Sequence, residues 1–374
     1  MKILIVGGGI AGLAMARALE QQGLSADLVE RKADAPQGGT GLYLPGNAAR
    51  ALQQLDVLKA LTAAAVPINT QRILDSQGRP LSVTHTRDVW SSCGPCLALP
   101  RATLHSALRS ALRQTRLRFD TAITGIEALG EKSLATFSDG TTGEYDLLIG
   151  ADGLHSNVRQ LLFPETRPAY TGNVCWRFIT QDTVGVDGWT VMLGNGSSLL
   201  ALPIGDGQVY VYADKAMSEQ EAQRTVTPLP TRALLDKFSA PLSGLIAQLP
   251  AQTQVHFSRI EQVVMNDWVK GNVVLMGDAA HASSPSMAEG AGMALEDALV
   301  LAQELAQMLT TPATLTEALA AYGRRRKPRL DWVQQQCVAR DKMRRLPAWG
   351  RVPLLKLAGN KLYKRSYGPL TQPL

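Results

Sequence analysis

The chain has 374 residues, 45% of them hydrophobic, which is enough for one large core or two adjoining ones and excludes a disordered chain. Four scattered cysteines exclude a disulfide framework, and neither paired C-x-x-C motifs nor a His cluster offers a zinc site, so a metal-free protein of the reducing cytoplasm is expected. The net charge of +6 gathers late, in "GRRRKPR" (323–329), "RDKMRR" (340–345) and "KLYKR" (361–365). Without an aromatic–basic motif beside them these runs read as solvated helix faces, and no nucleic-acid partner is expected.

The opening "MKILIVGGGIAGLAMARAL" imitates a secretory signal, but Gly7, Gly8 and Gly9 interrupt its apolar stretch. No later stretch reaches the ~18 unbroken apolar residues of a membrane span. Residues 3–6 suit a buried parallel strand. Gly7, Gly9 and Gly12 follow with G-x-G-x-x-G spacing: one for a tight turn, one for close approach to a pyrophosphate, one for helix–sheet packing. The helix runs to about Gln22, Gly23 stops it, and the strand "ADLVE" ends in Glu30. A carboxylate there accepts hydrogen bonds from ribose hydroxyls, and Arg31 beside it is grouped with the cofactor residues. Strand, turn, helix, strand and acid together read as a site for a dinucleotide with unphosphorylated ribose, FAD or NAD.

Further on, "WSSCGPCL" contains Cys93-Gly-Pro-Cys96, the spacing of thioredoxin-type dithiols. Such a pair needs a helix N-terminus directly behind it, whereas the strand-like "CLALP" follows here, so a turn shaped by Gly94-Pro95 is the preferred reading. Residues 145–159, "YDLLIGADGLHSNVR", form a second apolar strand that runs into Asp152-Gly153. Between 165 and 265 the alternating runs "VCWRFIT", "WTVML", "SSLLALPI" and "QVYVYAD" read as an antiparallel sheet, with Tyr210 and Tyr212 on one face, taken as inward. Residues 218–249 are more helical. Residues 271–298, "GNVVLMGDAAHASSPSMAEGAGMALEDA", repeat the strand theme with Gly277-Asp278 and a glycine-bearing helix start; His281 reads as structural. The second and third motifs each place a carboxylate at the end of a parallel strand, where ligands bind in such sheets. The last 45 or so residues read as a helix packed on the body and an irregular tail, basic and only briefly apolar, which argues against a lipid contact.

The three motifs, in this order, resemble those of the group A flavoprotein monooxygenases, the family of the para-hydroxybenzoate and salicylate hydroxylases, over nearly the whole chain. The resemblance implies an α/β fold. Its parts are a Rossmann-like FAD-binding domain (1–66, 97–164 and 266–330), an inserted mixed antiparallel β-sheet substrate domain (67–96 and 165–265), and a C-terminal helix and tail (331–374). It implies FAD, with its ADP part on the N-terminal loop, Asp152 and Gly153 near the pyrophosphate, and Arg101 reaching towards the cofactor from a helix start. Gly277 and Asp278 fall at the ribityl or pyrophosphate region. Pro285 lies beside the flavin, and the backbone of Gly290, Ala291, Gly292 and Met293 runs along its N1/C2 edge. Two positions depart from the family pattern: Ser284-Pro285 stands where several members have Pro-Pro, and Gly290-Ala-Gly292 where some have Gly-x-Asn.

Arg177, Tyr212 and Pro285 are the expected catalytic residues, Arg177 as a clamp for a carboxylate or phenolate. No second strand–G-x-G-x-x-G–helix unit follows, so NAD(P)H is a transient co-substrate. The implied activity is hydroxylation of a small electron-rich aromatic or N-heterocyclic substrate by O2 through a C4a-hydroperoxyflavin, in a monomer or homodimer. A reductase, epoxidase or halogenase on the same scaffold is the alternative; the W-x-W-x-I-P-like stretch of a halogenase is absent.

Overall fold

The unbroken apolar run Ile3–Val6 forms a fully buried strand, with Ala26–Val29 and Leu147–Gly150 parallel to it on either side. In the computed structural model, which describes residues 1–33, 40–225, 237–249 and 253–374, these strands centre a six-stranded sheet. Its order is Val269–Lys270, Val273–Leu275, Leu147–Gly150, Ile3–Val6, Ala26–Val29, Arg116–Arg118, with the outermost Val269–Lys270 antiparallel to its neighbour. Helix Ile10–Gln21 packs against helix Gly290–Thr310, and both join the strands in one core around Leu13, Leu28, Leu148, Leu275 and Leu295.

A seven-stranded sheet stands beside it, in the order His256–Gln262, Ala169–Gln181, Gln208–Ala216, Ser197–Gly205, Trp189–Leu193, Thr70–Asp75, Pro80–His85. It is antiparallel except where Trp189–Leu193 pairs with Thr70–Asp75, so the hairpin from residues 70–85 completes a sheet made mostly from residues 169–262. Asp206 and Gly207, both at positive φ, make the tight turn between Ser197–Gly205 and Gln208–Ala216. Alternation sorts the two faces. Trp176, Phe178, Val209 and Val211 bury themselves on one side with Phe238, Leu242 and Leu245 in a separate core. On the other side Tyr210, Ile179 and Leu200 pack against the main core, so this face turns to the first sheet. Of the helical reading of 218–249, Glu219–Arg224 and Ser243–Ala247 are helices, and residues 226–236 lie outside the described residues.

The C-terminal expectation needs correction. Instead of one helix and an irregular tail there are two helices, Leu315–Arg345 and Ala348–Tyr367, and a closing 3-10 turn, Gly368–Thr371. Extended backbone at Leu346 and Pro347 separates them, while Pro328 and Pro353 each remove one donor without ending their helices. Prolines inside two real helices are what made the tail look broken.

The basic runs are corrected too. Arg326, read as solvated, is 1% exposed; its Nε donates to Asp297 Oδ1 at 2.7 Å, its Nη1 to Glu296 Oε2 at 2.8 Å and its Nη2 to the Met293 carbonyl at 3.1 Å. Arg329 adds two bonds of 2.8 Å to Glu296. Asp297 Oδ2 accepts the Gly277 N–H at 2.9 Å and lies 2.6 Å from His281 Nε2. Glu296 and Asp297 sit buried in the first half of helix Gly290–Thr310, so their burial is tolerable only because every charge is paired. Arg344, from the second basic run, pairs with Asp214; Arg324 and Arg325 of the first run, Lys342 and Arg345 of the second, and Lys361, Lys364 and Arg365 of the third remain exposed.

Arg326→Met leaves Asp297 and Glu296 short of a buried partner and is expected to cost about 3–5 kcal/mol in denaturant unfolding. Arg324→Met, on the exposed side of the same helix, should stay within about 0.5 kcal/mol. Burial pushes the Asp297 carboxyl up, but His281 and Arg326 outweigh it and hold it down at about 2. Its folded value therefore lies below its unfolded one. The stabilisation should be complete above about pH 4 and disappear as pH falls through 2, an acid limb that Arg326→Met should flatten.

Candidate active site

The C-terminal ends of the three central parallel strands meet at one edge, and each glycine there has a different constraint. Gly7 has φ +112°, and a Cβ on it would lie 2.4 Å from the Ala151 carbonyl oxygen; a Cβ on Gly12 would lie 1.9 Å from the Gly7 carbonyl oxygen. Among the described residues no atom lies within 4 Å of a Cβ built on Gly9, so its side is open to a ligand there. Glu30 accepts the Gly8 N–H at 2.7 Å and the Lys32 N–H at 3.0 Å, which holds its carboxylate at the strand end beside the loop. Arg31 is exposed and makes no hydrogen bond or ion pair among the described residues.

His105 was missed by the sequence reading. It is buried and its Nε2 donates to the Gly8 carbonyl at 2.8 Å; burial holds it below the usual histidine range against the pull of that bond, so it is the neutral tautomer with the proton on Nε2. The available signal was its place one turn after Arg101 on the same face of helix Arg101–Ser110.

Asp152 uses its carboxylate within the chain. It accepts from the Ser156 hydroxyl, from the Asn157 N–H at 2.7 Å and from the Val158 N–H at 3.1 Å, and so caps helix Asn157–Leu162. Gly153 has φ +81° with open space around it. The buried Arg159 donates to the Ala279 carbonyl at 2.8 Å and the Leu154 carbonyl at 2.6 Å, joining the second motif to the third. In the third motif Gly277 has φ +59°, and Asp278 is exposed at the start of helix Gly290–Thr310: a Cβ on Gly290 would lie 3.8 Å from its Oδ1.

Pro285–Met287 is a 3-10 turn closed by Ala288 in the left-handed region, and the helix begins at Gly290. Pro285 and Gly290 are exposed. The Met293 N–H is already spent on the Glu289 carbonyl at 2.8 Å, which leaves the N–H groups of Gly290, Ala291 and Gly292 as the unpaired start of the helix. Gly292 is buried, and its need for glycine is internal, because a Cβ would lie 2.8 Å from Glu289 Oε2. Glu289 itself is buried behind the helix start and accepts from Asn47 Nδ2 at 2.9 Å. Burial pushes its carboxyl up to about 8, with neighbouring Glu296 adding and Asn47 opposing, so it is neutral at pH 7.

The sheet supplies the opposite wall. Arg177 and Tyr212 are directly paired across neighbouring strands; Arg177 Nη2 donates to Ser258 Oγ at 2.8 Å, and its Nε is buried without a partner. The Tyr212 hydroxyl is spent, donating at 3.1 Å to Asp214, which also takes the Ser198 hydroxyl and Arg344. Tyr210, two residues earlier on the same face, has no hydrogen bond to its hydroxyl among the described residues. Burial raises its pKa, and its charged neighbours are Arg177 and Arg101. Arg101, whose backbone N–H donates to the Thr40 carbonyl at 2.9 Å, has a guanidinium without a hydrogen bond or ion pair among the described residues; desolvation lowers its pKa, and Asp278, Arg177 and Tyr210 are its electrostatic neighbours. Residues from three distant segments thus come together at one edge. An unpartnered guanidinium, a carboxylate at a strand end and open N–H groups fit the pyrophosphate and ribityl parts of FAD.

Cys93 and Cys96 belong elsewhere. Both are buried and unbridged, burial pushes the Cys96 thiol up to about 12, and the sulfur of Cys93 accepts from Arg50 at 3.4 Å. Trp90, just before them, is core, donating to Tyr363 and packed edge-on against Tyr367.

Gly9→Ala should fold normally, since no described residue meets its methyl group, yet purify with little flavin; full flavin content would displace the pyrophosphate from this loop. The four buried cysteines should resist a thiol reagent until denaturant is added, and fast labelling of the native protein would reopen the dithiol reading.

The family described as FAD binding domain matches residues 1–337. A 2-heptyl-3-hydroxy-4(1H)-quinolone synthase of Pseudomonas aeruginosa strain UCBPP-PA14 is 33% identical over 340 residues, covering 90% of this chain and 87% of that protein. The aurachin C monooxygenase/isomerase of Stigmatella aurantiaca is 32% identical over 328 residues, 86% of this chain and 84% of that protein. The crystal structure of Klebsiella pneumoniae HpxO complexed with FAD and uric acid has a TM-score of 0.86 over 100% of this chain and 97% of that one at 22% identity, a likeness of fold. The chain belongs to the FAD-dependent monooxygenases of aromatic and heterocyclic compounds, with FAD as its cofactor and NAD(P)H as the reductant typical of that family.

Proposed function

We propose that this protein hydroxylates a small electron-rich aromatic or N-heterocyclic compound bound between Pro285–Ala291 and the sheet face that carries Arg177 and Tyr210. The observation that carries this reading is the convergence of Arg101, Asp278, Arg177 and Tyr210, from three distant segments, as electrostatic neighbours. In this reading residues 1–66, 97–164 and 266–330 hold FAD, and residues 67–96 and 165–265 hold the substrate. FAD, when bound, takes reducing equivalents from NAD(P)H and delivers them to O2.

The chain's own groups do the rest. The open loop at Gly9 and the Arg101 guanidinium bind the phosphates, and Asp278 orients the neighbouring hydroxyls. Free N–H groups at Gly290–Gly292 stabilise negative charge at the cofactor edge, and the neutral Glu289 behind them does not oppose it. Arg177 holds an anionic or phenolic oxygen of the substrate, and Tyr210 lies against its ring. Tyr212 serves as an anchor through Asp214 and Arg344. The two relatives, a quinolone synthase and an aurachin monooxygenase, are in keeping with a heterocyclic substrate.

Anaerobic reduction of the yellow protein by NADH and NADPH, followed by mixing with oxygen in the presence of aromatic acids and N-heterocycles, tests the reading. One panel member should accelerate reduction and leave as a product heavier by one oxygen atom; slow reoxidation to hydrogen peroxide without product for every member would reject it. Arg177→Met should raise KM for an anionic substrate about 10- to 100-fold with a smaller effect on kcat. An equal loss with neutral heterocycles would remove Arg177 from the clamp role.

A further inference from the structure

We propose that helix Ala348–Tyr367 docks this protein onto an anionic lipid surface. The helix has two unlike sides. On one, Leu355 is buried with Leu81, Val191 and Leu193 from the seven-stranded sheet; at the C-terminal end of the helix Tyr363 and Tyr367, nearer in angle to Trp349, are buried in the main core, so the outward side belongs to the first half of the helix. On the other, Trp349 is 83% exposed and Leu357 is 85% exposed, with Leu346 half exposed just before the helix. At roughly 100° per residue, Trp349, Pro353 and Leu357 fall within a sector of about 80°. Lys356 and Lys361 flank that sector, and Lys364 continues it about two turns beyond Leu357, all of them exposed.

Single exposed apolar side chains are ordinary. Two of the largest on one side of one helix, ringed by lysines, are a different observation. After Asp341 the chain has eight Lys or Arg and no Asp or Glu, so nothing in that segment neutralises the ring. Arg344 and Arg351 are used inside the protein, and Lys364 lies 3.6 Å from Asp88 in an exposed pair that is cheap to give up.

An anionic bilayer satisfies each part. Trp349 suits the headgroup level, Leu357 the acyl boundary, and lysine stems lie along the apolar strip while their ammonium groups reach lipid phosphates. A second copy of this chain fits poorly, because an isologous contact would set each lysine cluster against its own image. Nucleic acid would reward the lysines but not Leu357. The short apolar stretch in the sequence argued against lipid contact; the fold changes the argument by bringing residues eight apart onto one outward side.

The full-length flavin-loaded protein is sedimented with vesicles of phosphatidylcholine alone and of phosphatidylcholine with phosphatidylglycerol, at low and raised salt. Retention on the anionic vesicles only, weakened by salt, is the expected result. Trp349→Ser combined with Leu357→Ser should weaken retention about a hundredfold. The triple change Lys356→Gln, Lys361→Gln and Lys364→Gln should weaken it about as much. Both variants should keep the NADH oxidation rate and melting temperature of the parent, since none of these residues lies in the active site. No retention on either vesicle, retention unchanged in either variant, or a patch whose loss instead abolishes self-association or duplex DNA binding would overturn the proposal.

Discussion

Everything at the active edge depends on how Asp297 is held. One carboxylate oxygen takes the backbone N–H of Gly277 and faces His281, and the other takes Arg326 from the following helix. A carboxylate at that depth is intolerable alone, and the geometry that compensates it also sets the third-motif turn against the helix that begins at Gly290. Asp278 and the free N–H groups at Gly290–Gly292 owe their mutual placement to this buried joint. Glu296 extends it to Arg329 and Asn47, and Asn47 in turn holds Glu289 behind the helix start.

The charges that remain accessible have a common sense. Arg101, Arg177 and a helix N-terminus surround the space, while the nearest buried acid, Glu289, is kept neutral by burial. Such an environment favours phosphate, an anionic substrate oxygen and negative charge on a reduced cofactor. Asp278 is the counterweight, placed where hydroxyl groups need an acceptor.

A second joint unites the walls. Tyr212, Asp214 and Ser198 on the sheet meet Arg344 on helix Leu315–Arg345, and Arg344 reaches Ser286 beside Pro285 at 3.0 Å. Sheet, C-terminal helix and the Pro285–Met287 turn are therefore braced together. The last helix backs onto the same sheet with one side and presents Trp349 and Leu357 outward with the other.

Local pattern was sufficient for the elements whose cause is local. The apolar run before Gly7, the glycines with their different steric limits, the acid at the end of the second strand and the alternation that divides Arg177 and Tyr210 from Trp176 and Phe178 were all legible, because each follows from period, Cβ geometry or backbone reach. The tertiary structure alone decided which charges are interior. "GRRRKPR" looks like any solvated helix until Glu296 and Asp297 are found opposite it, and nothing in the order of residues distinguishes Arg326 from Arg324. It also decided that Tyr212 is tied down while Tyr210 is free, that His105 locks the first loop, and that the proline-bearing tail is a helix. Each of these depends on a partner far away in the chain, and the energy of a buried hydrogen bond or ion pair exists only once both partners have been brought out of water.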